Sequence, residues 1–368
     1  MKKQNKIYLT IGIVAVVIIA AIMISSIPKE EETIKIGSIL SLNGAASSWG
    51  QAAQNGMNLA VEDINREGGI HGKKIKIVYE NDQSDPTQTV TAYNKLKNIN
   101  DIKFFIGASW TKFGLPLKDL INNEIFISPS LGSRTFNEGN KYIFNTRQHD
   151  YILSRDLAKY IYNKGHRTIS ILSVNDPYNK EQADELKRVF ENLGGTVKYV
   201  FEPVIEQKDV RTDLLKIKND PEIDALVATT GATPLTSLFA MQLRELNMDY
   251  SVYSVTIDQN RIDESKGAID GWIYLSSFTP TEEFSKRYLE RYNREVPIAA
   301  DSAYDAVMIL AQAIEETNSV NPELIQQYLN NIKKYSGVSG DLIADNDGGF
   351  IKNYVVYKVV ESKSQVMS

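Results

Sequence analysis

From Thr33 to Gly271 short apolar runs alternate with longer stretches whose apolar residues recur at helical spacing. IKIGSIL, KIKIVYE, IKFFIG, IFISPS, RTISILSV, TVKYVFE and DALVAT have strand character. Between the first two, GQAAQNGMNLAVEDIN sets Ala53, Met57, Ala60, Val61 and Ile64 on one helical face. DPTQTVTAYNKLKN, KFGLPLKDLINN, KEQADELKRVFENLGG, DVRTDLLKIKND and LTSLFAMQLREL repeat the helical pattern. Strands separated by helices predict parallel βαβ units. Two such runs, one to about Arg147 and one from about His149 to Gly271, predict two doubly wound α/β lobes. The part from Trp272 onward reads as three helices, EEFSKRYLERYN, SAYDAVMILAQAIEE and NPELIQQYLNN, and a closing strand, NYVVYKVV.

A chain of 368 residues is long enough for two such units. Its net charge of -5 argues against a nucleic-acid footprint, which shows as a basic patch. With no cysteine, disulfides, thiolate metal sites and a cysteine nucleophile are excluded. The three histidines, His71, His149 and His166, have no metal-ligand spacing, so no metal and no cofactor is expected. The amino terminus differs from the rest. Three lysines in MKKQNK precede an uncharged run from Ile7 to Ile27, and about 20 apolar residues can cross a bilayer as a helix. The lysines favour keeping residues 1–6 in the cytoplasm, with the remainder outside. An uncleaved transmembrane anchor is the preferred reading. A cleaved signal ending at the weak site Ser25-Ser26-Ile27-Pro28 is the alternative. Residues 28–33 form a charged linker.

Ligands of open α/β sheets bind beyond the carboxyl ends of the strands. That rule singles out SLNGAASSWG, GASWTK, SPSLGS, SVNDPYN, TTGATP and TIDQN. These segments are rich in small, hydroxyl-bearing and aromatic residues, and suit holding a small polar molecule better than cleaving one. Reactive motifs fail on inspection. Ser109-Trp110-Thr111-Lys112 fits the S-x-x-K of serine acyl-enzymes, but its usual companion motifs are missing, and Ser26 to Lys29 matches equally well. Asp345-Asn346-Asp347-Gly348 hints at a calcium loop, but Ile343 stands where an oxygen ligand belongs, so a turn is expected. His149 and Asp150 are neighbours on the chain and are expected to point apart. In EGGIHGKK, Gly68 and Gly69 end the first helix in a left-handed cap, Ile70 packs back, Gly72 turns the chain and His71 is a solvated turn residue.

From Thr33 to about Val360 the chain resembles the type I periplasmic solute-binding proteins of ABC importers, in the branched-chain amino acid and amide group. Gly44, Gly50, Gly56, Asn65, Gly68, Gly69, Ile70, Gly72, Asp82, Asp85 and Pro86 carry the resemblance, with FFIGASW, ISPS, NDPY, AYDAV and SGVSGDLIADNDGG. The resemblance implies a Venus flytrap: two Rossmann-like lobes joined by three crossovers and closing on a ligand. The implied first lobe comprises 33–147 and 277–335, the second 148–276 and 336–362, with a tail at 363–368.

By the same resemblance the ligand contacts fall on Trp49, Trp110, Thr111, Ser130, Gly132, Asp150, Tyr178, Ala232, Thr256 and Asp258. Hydroxyls and backbone N–H groups would take a carboxylate; Asp150 and Asp258 would take an ammonium. A glutamate common in branched-chain binders is replaced by Thr256, which departs from that specificity. As ordinary structure, Trp49 and Tyr178 would be packing aromatics, and Thr111 and Ser130 helix caps. The implied function is an extracytoplasmic, non-enzymatic receptor for an amino-acid-like solute. It would be a monomer held at the membrane and serving a permease and an ATPase on separate chains. An amide or urea binder, or a sensory ectodomain with a partner chain, are the alternatives.

Overall fold

The computed structural model describes residues 32–367 apart from Asn346. The expected span from Ile7 to Ile27 lies outside the described residues. Among the described residues no helix is long and apolar enough to cross a membrane.

The chain first builds a parallel sheet in the order β2-β1-β3-β4-β5. Its strands are β1 (Thr33–Leu40), β2 (Lys74–Asn81), β3 (Phe104–Gly107), β4 (Ile125–Ser128) and β5 (Ile143–Asn145). Every residue of β3 and β4 is buried, as expected for strands covered by helices on both faces. Helix α1 (Ser47–Arg66) lays Ala53, Met57, Ala60 and Ile64 into the core, on the face its periodicity predicted. It ends where Gly68 and Gly69 take positive φ, and Gly69 N–H returns to Ile64 O at 2.9 Å. Ile70 joins the core and pairs with Lys73, so EGGIHGKK is a scaffold turn. Helix α2 (Pro86–Asn98) starts on Asp85, whose carboxylate accepts from Thr87 and Gln88 N–H.

The expected helix in KFGLPLKDLINN shrinks to one turn, α3 (Thr111–Gly114), followed by a 3-10 turn over Leu115–Leu117. Pro116 lacks the N–H that a continuing helix would need.

The second sheet runs β15-β14-β10-β9-β8-β6-β7. Its parallel part is β6 (Thr168–Leu172), β7 (Thr196–Phe201), β8 (Ala225–Ala228), β9 (Ser251–Val255) and β10 (Ile273–Ser276). The two sheets therefore repeat one strand order, 2-1-3-4-5, the flavodoxin-like doubly wound arrangement. Its helices are α4 (Asp150–Asn163), α5 (Pro177–Asn192), α6 (Arg211–Lys218), α7 (Pro234–Glu245) and the short α8 (Gln259–Glu264). The chain then returns to the first lobe with α9 (Glu282–Tyr292), α10 (Ala300–Thr317) and α11 (Pro322–Asn331). Ala303, Val307, Leu310 and Ile325 complete the first core, and Phe284 and Tyr288 pack with Leu59 in a satellite cluster.

Two boundaries differ from expectation. Residues from 336 were assigned to the second lobe, but β11 (Lys334–Gly337), β12 (Gly340–Ala344) and β13 (Phe350–Ile351) form a separate small sheet. It buries Leu342 and Phe350 in the first core, and the final crossing comes only at 352–354. Instead of a tail, β15 (Lys363–Val366) pairs antiparallel with β14 (Val355–Val360) and edges the second sheet.

Candidate functional site

The carboxyl ends of both sheets face each other across a cleft that encloses a cavity of about 290 Å³. Each wall segment follows a strand: Trp110 and Thr111 after β3, Ser130 and Gly132 after β4, Arg147 after β5. Tyr178 follows β6, Ala232 and Thr233 follow β8, Thr256 follows β9, and Trp49 enters from the first turn of α1. Eight of the ten residues singled out in the sequence line this cavity: Trp49, Trp110, Thr111, Ser130, Gly132, Tyr178, Ala232 and Thr256.

Asp150 and Asp258 do not line it, and both already hold donors, although Asp150 Oδ1 is buried without a partner. Asp150 is fully buried behind Gly132, where an added Cβ would overlap its carboxylate and stand 2.9 Å from Tyr178 Cε2. Its Oδ2 accepts from Arg147 Nη2 and from Tyr178 Oη, each at 2.5 Å. Burial and the adjacent Asp150 hold the Tyr178 phenol well above its usual pKa, so it stays a donor. Asp258 faces a neighbouring groove. It accepts from Trp49 Nε1 at 3.1 Å and caps α8 through Arg261 N–H at 3.0 Å. Burial raises its pKa, against the pull of Trp49 and Arg261.

Arg147 escaped the sequence reading. Its guanidinium donates to Ser130 O at 2.9 Å, pairs with Asp150 and stacks 5.0 Å from the Trp49 ring centroid. Burial opposes its charge, but Asp150 and Tyr178 outweigh that and raise its pKa. The one local signal was a charged residue in the first crossover, surrounded by polar neighbours. Lys112, Asp176 and Glu206 of the wall were also missed.

Four polar atoms of the wall residues are buried without a partner: Trp110 Nε1, Ser130 Oγ, Thr233 Oγ1 and Asn179 Oδ1. Ser130 therefore does not cap a helix, and Thr233, at the start of α7, leaves that helix without a side-chain cap. The lobes also meet through Arg134–Glu181 at 3.1 Å and, on the wall itself, Lys112–Glu206 at 4.0 Å.

The excluded motifs have structural duties. Ser109 Oγ accepts from Ser41 N–H at 2.9 Å, and Lys112 reaches Glu206 instead of Ser109. His149 and Asp150 point apart: His149 Nδ1 lies 3.0 Å from Asp345 Oδ2 and Nε2 lies 3.2 Å from Asn137 Oδ1. Asp345 Oδ1 accepts from Asp347 and Gly349 N–H, an Asx-type turn. Among the described residues no cluster of three His, Cys, Asp or Glu could hold a metal ion. His71 is exposed, with positive φ, beside Glu315 O.

Two doubly wound lobes, three crossings and a cleft at both sets of strand ends define a solute receptor of the Venus flytrap class. The sequence matches the model of the periplasmic binding protein family over residues 33–365, and the chain belongs to that family. It is an extracytoplasmic solute-binding protein of the ABC-importer kind and not an enzyme. A leucine-, isoleucine-, valine-, threonine- and alanine-binding protein of Pseudomonas aeruginosa is 26% identical over 335 residues, 88% of each chain. A leucine-binding protein from Thermotoga maritima superposes with a TM-score of 0.83 at 21% identity, over 91% of this chain and 98% of that one. An ABC-transporter solute-binding protein from R. palustris, in complex with 4-hydroxybenzoate, superposes with a TM-score of 0.82 at 17% identity, over 92% and 96%.

Proposed function

We propose that this chain captures a small carboxylate-bearing solute with an apolar body, an amino acid or close relative. It holds the solute between its lobes and delivers it to a permease and ATPase on separate chains. The observation that carries this reading is the wall of the cleft: largely apolar, yet holding Trp110 Nε1, Ser130 Oγ and Thr233 Oγ1 buried and unpaired. Each such atom left unsatisfied costs about 1–3 kcal/mol, which a ligand's oxygens would recover. In this reading Trp49, Trp110, Thr111, Ser130, Gly132, Tyr178, Ala232 and Thr256 touch the solute. Asp150 and Asp258 act through Arg147, Tyr178 and Trp49. The relatives support the reading, since the solutes in their names, leucine-type amino acids and 4-hydroxybenzoate, share a carboxylate on an apolar body. The run from Ile7 to Ile27 serves as the membrane anchor.

Thermal unfolding of the full-length chain tests this against branched amino acids, alanine, threonine, 4-hydroxybenzoate, urea, acetamide and short peptides. A true solute at 100 times its dissociation constant adds about 2.7 kcal/mol of stability and raises the midpoint. If no carboxylate in the panel does so, the reading is wrong.

A further inference from the structure

We propose that the solute site does not end at the cavity but continues outward as a second, apolar subsite, so that the preferred solutes carry a hydrocarbon tail longer than the side chain of leucine. The inference rests on the cleft being the solute site, and it sets the length of the solute within that reading.

A groove of about 690 Å³ lies between the lobes beside the cavity and is more than twice its size. Its first-lobe side comes from the loops after β1 and β2 and from α3, its second-lobe side from the loop after β7 and from α7. Groove and cavity share four wall residues, Trp110, Lys112, Ile205 and Glu206. Apolar surface runs through that boundary on both lobes. In the first, Trp110 stacks on Phe113 with ring centroids 6.0 Å apart, and Phe113 belongs to the groove alone. In the second, Val204 lies on the cavity wall, Ile205 on both, and Leu238 and Met241 in the groove. Val204 is 49% exposed, and Leu238 and Met241 are only partly buried. Water still reaches this apolar area, and covering it is favourable.

The boundary itself is weak. The ion pair that crosses it, Lys112–Glu206, is 4.0 Å long, with side chains 50% and 73% exposed. An exposed pair of that kind contributes little, so a tail can part it at small cost. The chemistry of the groove selects hydrocarbon over peptide. Its charged residues Asp85, Lys208 and Glu264 face water, and the buried Ser237 hydroxyl already donates to Arg261 O at 2.9 Å. Phe113, Ile205, Leu238 and Met241 offer nothing to pair with an amide, and the unbranched Met241 can adapt to a tail. The head of such a solute stays in the cavity, where the unpartnered Trp110 Nε1, Ser130 Oγ, Thr233 Oγ1 and Asn179 Oδ1 can answer a carboxylate with or without an amino group.

Two homologous series test this, straight-chain 2-amino acids and the matching unsubstituted acids, from four to ten carbons. Each is titrated calorimetrically into the full-length chain below micelle-forming concentrations. Affinity is expected to keep rising beyond six carbons, by about two- to fourfold per added methylene, the range from half to full burial of a CH₂. That trend in either series supports the proposal. A plateau or an optimum at five or six carbons in both would overturn it while leaving the proposed function intact. Met241→Asp, with an unchanged melting temperature as the folding control, should weaken the ten-carbon compounds at least fivefold and leave the four-carbon compounds unaltered. Long-chain binding indifferent to that substitution would put the tail elsewhere and overturn the proposal as well. Silence from every compound, together with a flat thermal panel, would overturn both readings at once.

Discussion

Arg147 shows how one side chain can join surfaces that no local pattern connects. It leaves the first crossover, braces the carbonyl of Ser130 in one lobe, neutralises Asp150 at the head of α4 in the other, and lies against Trp49. A buried arginine costs several kcal/mol in desolvation unless its partners are in place. Those partners are brought in by the fold, from 17 residues before it and 3 after. That is why the wall residues were legible as strand-end loops while Arg147 was not. The two aspartates were misplaced for a related reason: an acidic residue reads as available until its donors are seen. Asp305, in α10, makes a titration prediction. Its carboxylate takes Val338 N–H and Ser339 N–H at 2.9 Å and Ser339 Oγ at 2.5 Å, and burial pushes its pKa up to about 6. Asp301 adds to the rise. A carboxyl whose pKa is higher folded than unfolded keeps its proton longer in the folded state. Its contribution is therefore full below about pH 4 and is lost as pH climbs through 6. Denaturant melts from pH 4 to 6.5 should show stability falling, and Asp305→Asn should flatten that fall by on the order of 3 kcal/mol.

At the scale of elements, helix periodicity and turn residues carried most of the information. The two parallel α/β lobes followed from alternation, though their strand order did not, and the cap at Gly68 and Gly69 followed from its glycines. Elements without a pattern of their own were misread. β15 is polar and largely exposed, and only its ladder with β14 makes it a strand. β11 to β13 could have belonged to either lobe until Leu342 and Phe350 chose a core. The contact between α1 and α10 depends on a single missing side chain. A Cβ on Gly56 would overlap the Ala300 carbonyl oxygen, so the helices touch through backbone. Gly56→Ala should force them apart and cost about 2 kcal/mol, the usual scale for overpacking, even though alanine is the better helix former. A melting curve that does not fall would show that α10 can slide without loss.

For the molecule as a whole, the cleft is latched by few contacts. Trp49 Nε1 to Asp258, Arg134 to Glu181 and Lys112 to Glu206 span the lobes, and the first is the least exposed of the three. A ligand shifts closure only by its differential affinity for the closed state, and the latch adds to that term. Trp49→Phe keeps the ring beside Arg147 and removes the bond to Asp258. Hydrogen bonds to charged groups are worth about 1.5–3 kcal/mol, so solute-driven contraction, followed by small-angle scattering, should need at least tenfold more solute. An unchanged titration would mean that Trp49 only packs.

The three crossings also set an order of events during synthesis. The first core needs Ala303, Val307, Leu310, Ile325, Leu342 and Phe350, all of which leave the ribosome after the entire parallel part of the second sheet. The lobe that begins the chain is thus finished after most of the lobe that follows it. A nascent chain stopped before Ala300 would hold one face of its first sheet open to any chaperone, or any other chain, that meets it.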